Sequence, residues 1–211
     1  MSLYGLILGI CFLVGIDFFS RNNTVIPKIK VNFFISGTMV SSIIGARLYH
    51  VIDQWNFYSN NLSQIPATWN GGLGIFGGIL GALTFIVIFS LSTKTSFLSI
   101  TDSIAPIIPL CQSIGRLGNF FNHEIPSWWL ESILNLILFF IITKAKKRHP
   151  STALYLIGYG LIRFFFEFTR QDTWQISSIK IGQLISVLFF LSGIAIISRN
   201  AHPQHRQNES P

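Results

Sequence analysis

The sequence predicts an all-α polytopic membrane protein of about seven transmembrane helices, with the N-terminus outside and the C-terminus in the cytoplasm. Three observations predict it. Half of the 211 residues are hydrophobic and only 11% are charged, far less charge than a water-facing surface carries. The apolar residues gather in runs at 3–19, 31–51, 71–91, 100–114, 128–143, 152–168 and 181–198, each at or near the length that crosses a bilayer as a helix. The basic residues, which make the net charge +7, collect in alternate loops.

Taken in order, the first run does not read as a cleavable signal peptide. It lacks a basic leader, carries Asp17 and has no A-x-A cleavage pattern. Arg21, Lys28 and Lys30 follow it. Lys94 follows the third run, Lys144, Lys146, Lys147 and Arg148 the fifth, and Arg199 and Arg206 the seventh. The opposite loops hold little beyond Arg170 and Lys180. By the positive-inside rule the basic loops are cytoplasmic. The same distribution argues against nucleic acid as a partner, because the positive charge is a topology signal. Pro106 and Pro109 in the fourth run remove backbone donors and predict a kink. A single bundle occupies residues 1–200, and 201–211 form a disordered polar cytoplasmic tail. Cys11 and Cys111 sit inside apolar runs and read as packing residues. Trp55, Trp69, Trp128, Trp129 and Trp174 fall at outer boundaries, where indole prefers the interface.

Topology then sorts the polar side chains by depth. Runs two, four and six end outside, and there sit Arg47, His50 and Asp53, then Arg116, Asn119 and Glu124, then Arg163, Glu167 and Arg170. The other runs begin outside, at Tyr4, at Asn70 with its glycines, at Glu131, and at Lys180 with Gln183. Ionisable groups at membrane depth are costly and mark function by default. Arg163, Glu167 and Arg170 share one helical face, as do Arg116 and Asn119. Two readings stand side by side: buried ion pairs that lock helices together, or a polar cavity open to the outer leaflet. The arginines outnumber the carboxylates in reach, which favours an anionic ligand, and arginine's planar fork suits phosphate. Asp17 and Asp102, near the cytoplasmic end, read as structural. The segment 70–81 has small-xxx-small spacing, Gly74/Gly78 and Gly77/Gly81, which lets helices approach closely or lines a cavity with bare backbone.

The most informative stretch is Gly115-Arg116-Leu117-Gly118-Asn119-Phe120-Phe121-Asn122-His123-Glu124. It resembles the G-R-x-G-N-F-x-N-x-E signature of bacterial prolipoprotein diacylglyceryl transferases. Asp102-Ser103-Ile104-Ala105-Pro106 is similar to that family's D-x-I-A-P. Gly158-Tyr159-Gly160-Leu161-Ile162-Arg163, with Glu167, Phe168 and Arg170, resembles its sixth-span motif. Gly182-Gln183 with Ser186 resembles its final-span G-Q-x-x-S, and Gly45-Ala46-Arg47-Leu48 and Tyr4-Gly5 also fit in order. The resemblance covers roughly residues 2–199.

That resemblance implies transfer of the diacylglyceryl group of phosphatidylglycerol to the lipobox cysteine thiol in a prolipoprotein signal peptide. A thioether forms and glycerol phosphate leaves, at the outer face of the bacterial plasma (inner) membrane. It implies catalytic roles for Arg116, Asn119 and Arg163. It implies substrate-binding roles for Tyr4, Arg47, Glu124, Tyr159, Glu167 and Arg170. Partners are then phosphatidylglycerol, the lipobox peptide and membrane lipids, with no cofactor. No metal is implied either, since His123/Glu124 and His50/Asp53 do not make a ligand set.

The sequence departs from the family pattern at three places. Phe76 stands where the third-span G-G-x-x-x-H-G-G motif has its histidine. Ile125-Pro126-Ser127-Trp128 lacks the histidine of H-P-S-Q. The family's long periplasmic insertion between Glu124 and Pro126 is missing. A thiol with pKa about 8.5 attacks as thiolate, and clustered arginines lower that pKa and stabilise departing phosphate. His123 is the nearest replacement base, although an interfacial loop histidine is the commoner reading of such a residue, and His50 is a weaker candidate. Three functions remain: the transferase, a non-catalytic lipid- or lipoprotein-binding paralogue, and a transporter. The last needs access from both faces, yet the inner half offers only Asp17 and Asp102.

Overall fold

The computed structural model describes residues 3–122, 127–169, 175–176 and 179–207. The described chain is helical apart from one two-residue hairpin. Nine α-helices are described, beside two 3₁₀ turns at Leu62–Gln64 and Thr68–Asn70: α1 (Leu3–Asn22), α2 (Lys28–Asp53), α3 (Trp55–Tyr58), α4 (Ile75–Thr93), α5 (Phe97–Ile104), α6 (Ile107–Asn122), α7 (Trp128–Ala145), α8 (Ser151–Thr169) and α9 (Ile181–Gln207). Strands β1 (Gln175–Ile176) and β2 (Ile179–Lys180) pair antiparallel between α8 and α9. Helix α9 thus continues through residues 201–207.

Among the described residues, six stretches are long and apolar enough to cross a membrane: Gly5–Asn22, Lys28–Asp53, Ile75–Thr93, Phe97–Phe120, Trp128–Ala145 and Ile181–Asn200. The seventh expected span, α8, has 19 residues but falls short in apolarity, because Arg163, Glu167 and its tyrosines dilute it. The break between α5 and α6 falls at Ala105 and Pro106, where proline disfavours helix in the residue before it. Hydroxyls inside the helices are satisfied locally. Thr38, Thr84, Ser92, Thr143, Ser186 and Ser198 each donate to the carbonyl four residues back, as an environment without water requires.

The chain forms two compact units, Met1–Asn23 with Thr101–Pro211, and Thr24–Ile100. In the first, α1 packs on α6, α6 on α7, α7 on α8 and α8 on α9. Its core holds Ile142, Ala153, Leu138 and Phe166. The two cysteines are free thiols, and each donates to the other's carbonyl oxygen, Cys11 to Cys111 at 3.6 Å and the reverse at 3.4 Å. They are packing residues that also cross-link α1 and α6. Asp102 accepts from the Thr152 backbone N–H at 2.7 Å, capping the start of α8. Asp17 pairs with Arg21 on an exposed face.

In the second unit α2 packs on α4 at backbone distance. A Cβ added to Gly77 would lie 2.2 Å from the Gly45 carbonyl oxygen, and one added to Gly81 would lie 2.1 Å from that of Ser41. Ser42 Oγ donates to the Gly78 carbonyl at 3.0 Å across the seam. The glycine spacing therefore serves close helix approach. Phe34 and Phe89 stack edge to face at 4.9 Å below it. Helix α4 ends at Lys94, which adopts a left-handed conformation (φ 54°) while its N–H bonds the Leu91 carbonyl.

Candidate active site

In the first unit the polar side chains form a seam along facing helices. Arg116 on α6 donates from Nη2 to Glu131 Oε1 on α7. Glu131 is wholly buried and the Arg116 side chain is about one-fifth exposed. Gln112 lies one turn before Arg116 on α6, and Asn135 one turn after Glu131 on α7. Ser132 Oγ donates to the Ser113 carbonyl at 2.8 Å in the same interface. Asn135 folds back to donate to the Glu131 carbonyl at 2.9 Å. Gln112 Oε1, Arg116 Nε, Glu131 Oε2 and Asn135 Oδ1 are buried without hydrogen-bond partners among the described residues. Asn119, three residues beyond Arg116, is buried.

Helix α8 supplies a stripe at four-residue spacing: Tyr155, Tyr159, Arg163 and Glu167. Gln112 Nε2 donates to Tyr155 Oη at 3.1 Å, linking this stripe to α6. Tyr155 and Tyr159 stack with centroids 5.4 Å apart and planes at 9°. Arg163 Nη2 lies 2.8 Å from Glu167 Oε2, an ion pair without a directed hydrogen bond. Glu167 is buried against the backbone of α9, where a Cβ on Gly182 would come within 2.5 Å of its carboxyl carbon. Lys180 Nζ donates to the Glu167 carbonyl at 2.7 Å, covering the C-terminal turn of α8.

These pairings narrow the expected surplus of arginine. Arg116 and Arg163 each have a carboxylate of their own. Glu131, which the sequence reading left out of the site, supplies the missing one. Its signal was an acidic residue opening an apolar run, but its partner lies 15 positions away, beyond what helical spacing reveals. Gln112 was legible by spacing, one turn from Arg116. Of the remaining residues, Tyr159 joins the seam. Tyr4 lies on α1, and its side chain falls outside the description. His123, Glu124 and Arg170 lie outside the described residues.

Arg47, in the second unit, is held by backbone carbonyls. It is buried at 7% exposure. Its Nε donates to the Ile65 carbonyl at 2.8 Å, its Nη1 to those of Gly71 (2.7 Å) and Gly72 (3.0 Å), and its Nη2 to that of Gln64 (2.6 Å). Four of about five guanidinium donors thus organise the α2–α4 connection, which leaves one N–H for a ligand. Phe76 is 56% exposed, with its ring 6.3 Å from that of Tyr49. Among the described residues no three His, Cys, Asp or Glu side chains come together to hold a metal.

Helices apolar on the outside, with arginine–carboxylate pairs buried between them, define a polytopic membrane protein with a charged interior seam. The chain belongs to the prolipoprotein diacylglyceryl transferase family, whose profile matches residues 1–129 and 125–199. The two matched segments meet where the long insertion is missing. Curated relatives named phosphatidylglycerol–prolipoprotein diacylglyceryl transferase include those of Fervidobacterium nodosum (35% identical), Clostridium novyi (strain NT; 34%) and Listeria monocytogenes serotype 4a (34%). The alignments cover 74%, 75% and 74% of this chain and 66%, 75% and 69% of those proteins. The chain therefore spans about two thirds to three quarters of their lengths.

Proposed function

We propose that the chain transfers the diacylglyceryl group of phosphatidylglycerol to the lipobox cysteine of a prolipoprotein, at the outer face of the bacterial inner membrane. The observation that carries this reading is that Arg116 and Arg163, both in family motifs, stand on the α6–α7–α8 seam, each held by a buried carboxylate. In this reading the thiol loses its proton and sulfur attacks the glyceryl carbon bearing the phosphate. A C–S bond forms, the C–O bond to phosphate breaks, and glycerol phosphate leaves with the electron pair. Arg116 and Arg163 stabilise the charge on the departing phosphate. Glu131 and Glu167 are positioning residues that hold the two guanidinium planes. Asn119 and Tyr159 line the same site, and His123 is the base that takes the place of the histidine absent at Phe76.

The test mixes the purified protein with phosphatidylglycerol and a short lipobox peptide. The peptide gains the diacylglyceryl mass if the reading holds. Phe76 favours a second reading, a non-catalytic lipid-binding relative, and lipid retention without any mass gain would establish it. The anion site is tested separately. Arg116→Ala or Arg163→Ala lowers retention of anionic phospholipid by about tenfold or more, as loss of a charge-assisted contact does, while Asp17→Asn leaves it unchanged. Equal retention in all three, at equal folded protein, would reduce the seam to a structural lock.

A further inference from the structure

The second unit holds a pocket of its own. The α2–α4 connection forms an open cleft of about 250 Å³ lined by Arg47, His50, Tyr58, Gln64, Asn70 and Gly72. This suits a small polar molecule and is too small for an acyl chain. Its cation is uncompensated. Arg47 meets four carbonyls, and none of the ion pairs of the described residues includes it. No carboxylate lines the pocket.

The groups with capacity to spare are mostly donors. Tyr58 is 5% exposed, and its ring lies 5.2 Å below the Arg47 guanidinium. Its hydroxyl has no hydrogen-bond partner among the described residues, and neither does the His50 ring, which meets Tyr58 edge-on at 5.9 Å. Asn70 Nδ2 donates to Gln64 Oε1 at 3.1 Å, which leaves the Gln64 amide N–H groups and one of Asn70's for a guest. Gly72, at φ 72°, has to be glycine, since a Cβ would fall 2.5 Å from His50 Nε2. The close approach sets the imidazole against the pocket wall.

We propose that this pocket binds a glycerophosphoryl group, with Arg47, Tyr58 and His50 toward the phosphate and the two amides toward the glycerol hydroxyls. The charge and donor set select a phosphate ester. The choice of glycerol rests on the transferase reading, which makes the group either the head of the donor lipid or the glycerol phosphate it leaves behind.

The test measures retention of radiolabelled glycerol phosphate by the whole protein in phosphatidylcholine nanodiscs. Retention is expected to saturate and to be displaced by unlabelled glycerol phosphate but not by glycerol. Tyr58→Phe and His50→Ala each weaken it by about tenfold, the usual effect of losing a hydrogen bond to a charged group. Tyr58→Phe keeps the ring against Arg47, so unchanged thermal unfolding shows that the connection stays folded. Phosphatidylglycerol in the disc displaces the label if the lipid head is the natural occupant and leaves it bound if the released product is. Retention no better than that of glycerol, or untouched by both substitutions, overturns the site. Binding is read without turnover, so a protein that retains glycerol phosphate and modifies no peptide overturns the transferase reading and keeps the pocket.

Discussion

Glu131 gives the sharpest test at the scale of single residues. A carboxylate removed from water is costly unless paired, and its partner stands to be left uncompensated when it goes. Glu131→Ala is expected to destabilise the protein by about 3–5 kcal/mol. Adding Arg116→Met should recover a large part of that loss, because no charge is then stranded. Thermal unfolding in detergent reads both variants, and a double variant no better than the single would remove the buried pair from the account. Phe76 carries the second residue-scale prediction. Its ring is exposed, so Phe76→His leaves packing largely intact while placing an imidazole, pKa about 6.5, in the family's histidine position. Transfer near neutral pH is expected to rise, within the roughly 10²–10⁴-fold that a general base contributes. His123→Ala should slow the native chain and matter less once Phe76→His is present, since two bases serving one proton are redundant. Additive effects across the cycle would exclude His123 as the base.

Among the elements, α2 and α4 depend on each other through backbone rather than side chains. Their contact leaves no room for even a methyl group at Gly77, so Gly77→Leu cannot be absorbed by a rotamer change and must push the helices apart. Overpacking of this kind costs about 1–3 kcal/mol or more. The same shift pulls Arg47 and the Ala46 carbonyl, which accepts from Gly74 N at 2.9 Å, away from the loop they hold. The expected result is a lower unfolding temperature together with faster proteolysis within residues 59–74. Gly9→Leu, where an added Cβ meets nothing within 4 Å, serves as the control. Normal stability of Gly77→Leu would mean that the seam is not as close as the Gly45 contact indicates.

For the molecule as a whole, the distribution of basic residues predicts an orientation. Every strongly basic connection lies on one side if the spans alternate, and the proposed chemistry needs the seam at the outer leaflet. A reporter fused after Arg199 is expected to read cytoplasmic, and one inserted near Asn61 periplasmic. The reverse pair would place the seam at the inner leaflet and end the argument from depth. Helix α8 is where the bundle departs from a count of apolar runs. It is long enough to span, yet its Tyr155, Tyr159, Arg163 and Glu167 stripe makes it too polar to face lipid on every side. Such a helix is tolerated when its polar side is covered by neighbours, and α7 and α9 pack on it.

Composition, hydropathy and motif spacing are enough to give the class of protein, the limits of most spans, the motifs that place the chain in its family, and the shared helical face of Arg163 and Glu167. Hydropathy and helical period are local quantities, and a bilayer enforces them strongly because unsatisfied backbone has no water to turn to. The partners depend on tertiary contacts. That Arg116 meets Glu131 depends on the register of α6 against α7. That Arg47 faces carbonyls and not a carboxylate depends on how residues 64–72 fold back over α2. Neither contact has a period in the sequence. Each is set by groups brought together from separate segments, where a buried charge without hydrogen-bond partners is too costly to leave alone.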